Sequence, residues 1–133
     1  MSSRRTSSHH ERGETSTQMV LALPVVLMCL LCGIHFAVLS HLGHVASVAA
    51  DAGSRVSARA VNPRDFIVVT TEVERVVQDL NATLEGAPQL SEDKTSVAVT
   101  VTLSVPSIVP FLPQRVSRTA TVPLENFRNE DDR

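Results

Sequence analysis

From Val20 to Leu39 the chain reads VLALPVVLMCLLCGIHFAVL, with no Asp, Glu, Lys or Arg among its residues. Roughly 20 apolar residues are what a helix needs to cross a hydrocarbon core, so this run is read as a transmembrane helix. It is longer than the apolar part of an ordinary secretory signal peptide, and Met28 and Leu31 stand before Cys29 and Cys32 where a lipoprotein signal needs small residues. Val48-Ala49-Ala50 offers a small-residue cleavage pattern before Asp51, but it lies well beyond the apolar run. A retained span is therefore expected. Arg4, Arg5 and Arg12 precede the run, whereas Arg55 is the nearest fixed cation after it. The bias of positive charge places the N-terminus in the cytoplasm and everything after about Ser40 outside it. Polar Thr6, Ser7 and Ser8 after Arg4-Arg5 do not fit a twin-arginine export signal.

Pro24 and Gly33 interrupt the run, and Pro24 removes a backbone donor that a kink or a neighbouring helix must absorb. His35, its only basic side chain, could be a proton site, but near the outer end it can stay neutral or reach the interface, and that plainer reading is favoured. Cys29 and Cys32 are read as small apolar residues, since no further Cys or His pair completes a zinc site.

With 133 residues and one apolar run taking a large share of the hydrophobic side chains, only a small soluble core remains. Four Phe and no Trp or Tyr leave little to line a deep ligand pocket, so no cofactor is expected. Net charge is -2, without a run of Lys and Arg to neutralise phosphates, so nucleic acid is not an expected partner. No nucleophile elbow, phosphate loop, metal-ligand set or paired carboxylates occur, and the chain is read as a non-enzyme. Glu72 and Asp79 fall on one helical face as solvated charges.

After the run, helical spacing continues through Leu42, Val45, Ala49, Ala52 and Val56 to the Asn62-Pro63 break. This predicts that the transmembrane helix extends into a water-exposed stalk. Ala46, Ala49, Ala50 and Gly53 make it small-sided and form an expected helix-packing interface for a partner. His41 and His44, three apart on that helix, lack a third metal ligand and are read as interface anchors.

Phe66, Val69, Val73, Val76, Val77, Leu80 and Leu84 then recur at intervals of three and four, predicting an amphipathic helix from about Asp65 to Glu85 with Gly86 as its C-cap. The Asn81-Ala82-Thr83 glycosylation pattern falls on it and is treated as chance. Val97, Val99, Val101, Leu103 and Val105 alternate with small polar residues, as do Val116, Arg118, Ala120, Val122 and Leu124. These are two strands, pairing antiparallel across the linker PSIVPFLPQ, with the amphipathic helix packed on them. Arg118 marks an edge position or the other register. Ile108, Val109, Phe111 and Leu112 between prolines are a lid over the core or an exposed docking patch. The expected class is α+β, in three segments: a disordered cytoplasmic leader over 1–18, the span and stalk over 19–60, and a helix, hairpin and acidic tail over 61–133.

The residues ERGETSTQMVLALP, the apolar helix and HVASVAADAGSRVSARA, followed by VTVTLSVPSIVP and RVSRTATVPLENFR, resemble in order and spacing the TadE-like family of pilus-assembly pseudopilins, in the form found in high-GC Gram-positive bacteria. The resemblance rests on Arg12-Gly13, Gln18, Pro24 and the run from Ala46 to Arg59. It implies a pilin-like fold in the bacterial cytoplasmic membrane, and a place in a tight-adherence pilus or secretion machine. The expected partners are membrane lipid, other subunits of that machine and a prepilin peptidase cleaving after Gly13 to leave Glu14 as the new N-terminus. Such junctions usually carry Glu at the fifth position after the glycine, where this chain has Gln18. An amide accepts a hydrogen bond from an N-terminal ammonium without cancelling its charge, which implies a minor pseudopilin or an uncleaved membrane component. The alternative reading is a membrane-tethered or secreted binding module unrelated to pili, with the linker between Pro106 and Pro113 making the contact.

Overall fold

A computed structural model of the chain describes residues 11–60, 62, 65–107 and 109–124, with side chains from Gln18 onward. The apolar run belongs to one helix, α1 (Glu11–Arg59), of 49 residues. At a rise of 1.5 Å per residue it is about 73 Å long. A second helix, α2 (Phe66–Asp79), follows, and then three strands, β1 (Gln89–Glu92), β2 (Ser96–Ser104) and β3 (Arg115–Pro123). The strands form one antiparallel sheet in the order β1-β2-β3. The fold is thus α+β: a long N-terminal apolar helix, a second helix and a small antiparallel sheet.

The alternation in β2 divides the sheet as the sequence requires. Val97, Val99, Val101 and Leu103 are completely buried on one face. On the other, Thr100 and Thr119 share a hydroxyl hydrogen bond of 2.7 Å and Thr102 donates to Ser117 at 3.1 Å, cross-strand pairs that link β2 to β3. In that register Val97 faces Val122, Val101 faces Arg118 and Leu103 faces Val116. Arg118 is therefore on the core side of the sheet, and its place on edge strand β3 leaves it exposed.

Four expectations need correction. The outer half of α1 is not a water-exposed stalk: it lies on β2 and β3, with α2 packed against it. Leu42, Val45, Ala46, Ala49 and Ala50 share one core with Val69, Val73, Val77 and the β2 valines, so residue 60 marks a turn in the chain and not a boundary between cores. The helix covering the hairpin is chiefly α1, where the sequence pattern assigned that place to α2.

Second, α2 stops at Asp79, well before Glu85. Asn81 takes a left-handed φ of 53°, the Asn81 N–H bonds Gln78 O at 3.0 Å and the Ala82 N–H bonds Val77 O at 3.0 Å. This is a Schellman closure with Asn, instead of Gly86, in the left-handed position, and it puts Asn81 in an exposed turn off the helix.

Third, Gly86, at φ 83°, interrupts the outer edge of the sheet. On one side of it, Glu85 N–H bonds Thr102 O at 2.9 Å and Ser104 N–H bonds Thr83 O at 3.0 Å. On the other, β1 pairs from Gln89 to Glu92 with Thr100 to Val97, a strand that the sequence pattern did not single out. Fourth, the leader assigned to 1–18 is helical from Glu11 onward, while residues 1–10 and the acidic tail lie outside the described residues.

Candidate functional site: the bare helix and the base of the head

Two parts of α1 differ in what covers them. Between Met19 and Phe36 the helix is apolar on every side, yet Met19 is 76%, Leu23 72% and Leu30 59% exposed. A helix apolar all round belongs either in a protein core or in a membrane, and here the other described residues leave most of it uncovered. It is long and apolar enough to cross a membrane and lies near the N-terminus. Cys29 is exposed and Cys32 half-buried, both as free thiols.

Gly13 and Glu14 fall on the first turns of this helix and Gln18 follows, exposed, four residues after Glu14. The three junction residues are therefore in one continuous helix with the apolar run.

Ala46, Ala49 and Ala50 are completely buried and Gly53 is buried beside them. They do form a helix-packing interface, but its other side is the chain's own α2 and β2. A Cβ on Gly53 would stand 2.8 Å from Val73 Cγ2 and 3.3 Å from Val99 Cγ1. Small side chains are needed there because α1 fits between the valines of α2 and those of β2, and these four residues present no surface to a second subunit. The partner expected for the small-sided stretch is thus internal.

Where the bare part of α1 meets the head, His35 is fully buried although its neighbours Ile34 and Phe36 are 45% and 56% exposed. His35 Nε2 is 3.1 Å from Pro113 O. A carbonyl can only accept, so Nε2 carries the proton and donates. Nδ1 is buried without a hydrogen-bond partner among the described residues. The Phe36 ring stands edge-on to the imidazole, with centroids 6.5 Å apart. The linker after β2 thus folds down along α1 to His35, and Val105 N–H closes its base on Gln114 O at 2.8 Å. Val109 is buried in this linker while Phe111 is 93% exposed, so the linker covers His35 and also presents an apolar tip.

Above that tip, the Arg118 guanidinium lies over Gly43, its Nη2 3.3 Å from where a Cβ would stand. His41 and His44 are exposed on α1. No group of three or more His, Cys, Asp or Glu side chains able to hold a metal occurs among the described residues. A shallow groove at the same level is lined by Ala37, Val38, His41, Asn81, Ala82 and Pro106. At the far end of α1, Arg55 pairs with Asp51 at 2.9 Å beside a second groove. Sequence reasoning left the His35–Pro113 pair unseen, because the partners are 78 positions apart and the acceptor is a backbone carbonyl.

The arrangement is a bare apolar helix and a compact head whose lower rim is apolar and whose next level carries Arg118. Compared with known proteins, the chain matches no protein-family model, no characterised sequence and no solved structure.

Proposed function

We propose that the chain is a TadE-like minor pseudopilin or membrane component of a tight-adherence pilus or secretion assembly, acting by helix packing and without catalysis. The observation that carries this reading is the continuity of α1, which runs from the Arg12-Gly13 junction through the apolar run into the head, where it packs on an antiparallel sheet. A pilin-like subunit needs that division of labour: one half of a helix left bare for membrane and neighbours, the other half serving as the spine of its own head. Because Ala46, Ala49, Ala50 and Gly53 are taken up inside the head, the surface for other subunits is the bare part of α1 before His35. In this reading the chain sits in the bacterial cytoplasmic membrane, crossing once. Arg4, Arg5 and Arg12 keep its N-terminus cytoplasmic and the head is extracytoplasmic.

Intact mass of the protein purified from its own membranes, in cells with and without a prepilin peptidase, tests the processing. A mass beginning at Glu14, absent when the peptidase is absent, supports a processed pseudopilin. Full-length mass in both leaves an uncleaved membrane component, and a chain beginning at Asp51 would overturn the membrane reading. Phe111, 93% exposed, is the observation favouring an unrelated tethered binding module. Crosslinked partners separate the two, since pilus-assembly subunits among them support the first.

A further inference from the structure

The position of the linker along α1 follows from helix geometry. Val20 to Leu39 at 1.5 Å per residue covers about 30 Å, the thickness of a hydrocarbon core. His35 is four residues short of Leu39, hence about 6 Å inside the C-terminal boundary of the span. Pro113 O is 3.1 Å from His35 Nε2, which brings the linker down to that depth. Backbone at this level survives only where its polar groups find partners within the protein. The His35–Pro113 hydrogen bond satisfies a carbonyl and an imidazole N–H together. Pro106, Pro110 and Pro113 bring no N–H at all, and Leu112 N–H bonds Val109 O at 3.2 Å. Three positions of the linker thus carry no donor that lipid could leave unpaired.

Its side chains fit the same environment. Phe111 is 93% exposed, and Phe36, 56% exposed on α1, stands at nearly the depth of His35. Phe is among the side chains that favour hydrocarbon over water, so exposed rings at this depth suit acyl chains. Gly43 is four residues beyond Leu39, about 6 Å outside the boundary, where headgroup phosphates lie. Over Gly43 lies the guanidinium of Arg118. Apolar tip below and cation above follow the layering of a bilayer.

We propose that the base of the head is seated in the leaflet at the C-terminal end of the span, with Phe111 among the acyl chains and Arg118 at the phosphates. This rests on the reading that Val20–Leu39 crosses the membrane. The head is then held by two membrane contacts, and cannot swing freely about the end of α1.

The chain has no Trp, so a single introduced indole reports its own surroundings. The full chain carrying Phe111→Trp, and separately Val26→Trp within the span, would be reconstituted into phosphatidylcholine–phosphatidylglycerol vesicles containing lipids brominated near the headgroup or deep in the tail. Both sites are exposed, at 93% and 65%, so neither change disturbs the core. The expected result is blue-shifted emission from both variants, with the linker indole of F111W losing most intensity to the shallow bromines and the span indole of V26W to the deep ones. If the span indole is quenched by lipid while the linker indole is quenched only by aqueous iodide, α1 crosses the membrane and the seating is overturned. A linker indole quenched by neither would also overturn it, because protein then covers the tip. If the span indole itself is untouched by brominated lipid, the membrane reading fails and the seating with it.

Discussion

His35 and Pro113 are 78 positions apart, and the hydrogen bond between them, 3.1 Å from Nε2 to the carbonyl oxygen, fastens the linker after β2 to the outer end of the apolar run. His35 has no exposed surface, whereas Pro113 is exposed on the linker, so the bond is part-buried. The imidazole is therefore shielded from water, which could otherwise replace its acceptor. The side chain that looked like a simple interfacial residue in the sequence is the point where the head is held at a fixed height on α1.

His35→Phe keeps the ring volume and removes the donor, leaving the Pro113 carbonyl unpaired. The expected cost is about 0.5–1.5 kcal/mol in chemical denaturation of the detergent-solubilised protein, the net worth of one intramolecular hydrogen bond. Proteolysis at the Pro106–Gln114 linker should become faster. His35→Gln, which retains a side-chain N–H, should recover part of the loss. Equal stability of the wild-type chain and both variants would show that the bond contributes nothing.

On the solvent side of α2, Arg75 donates to Glu72 at 2.6 and 3.1 Å and reaches Asp79 at 3.5 Å. The hydrogen bond from Arg75 holds the Glu72 carboxyl below its ordinary range. A carboxyl depressed in the folded state contributes stability that is complete above its unfolded value, near 4.5, and is lost as pH falls through the folded value. Glu72→Gln should therefore lower stability slightly at neutral pH and make the acid limb of the stability curve shallower below that point. Screening keeps the effect small and it should shrink further in high salt. An acid limb unchanged by the substitution would mean that the pair adds nothing to the fold.

How much of this was legible in the sequence depended on whether a residue's role was local. The alternation of Val97, Val99, Val101 and Leu103 specifies both β2 and its buried face, because strand geometry alone puts every second side chain on one side. β3 was equally readable, even with Arg118 out of pattern. β1, the short run QLSE, has too few residues and too little apolar character to signal a strand, and it exists because β2 offers it an edge. The end of α2 was misplaced because Leu80 and Leu84 continue the helical rhythm in sequence while Asn81 turns the backbone left-handed between them. Ala46 to Gly53 signalled close packing correctly. Whether the close neighbour is another subunit or the same chain is a tertiary fact that small side chains do not encode.

Asn81 separates a local backbone requirement from the chance glycosylation pattern it belongs to. Its φ of 53° is one that Gly adopts without strain and a β-branched residue resists. Asn81→Gly should leave stability within a few tenths of a kcal/mol, because loss of strain and gain of unfolded-state freedom offset each other. Asn81→Val should cost about 1–2 kcal/mol. Thermal unfolding of the two variants decides it, and a Val variant as stable as the Gly one would exclude a left-handed turn at this position.

Gly53 provides the sharpest test of the packing. In α1 it faces Val73 of α2 and Val99 of β2, and the first atom of any side chain would stand 2.8 Å from Val73 Cγ2, closer than real Cβ contacts come. Val73 is completely buried and branched at Cβ, so it has little freedom to rotate away, and α2 itself must shift. Gly53→Ala should raise helix propensity by about 1 kcal/mol and still destabilise, with a net loss of about 1–3 kcal/mol from overpacking. Val73→Ala alone should also destabilise, by opening a cavity. Combined, the two should be less harmful than the sum of their separate costs, since the second removes the methyl that the first strikes, with a coupling of about 0.5–3 kcal/mol. Strictly additive losses in denaturant melts would mean that Gly53 and Val73 do not touch, and that the small residues of α1 are free after all for a neighbouring subunit.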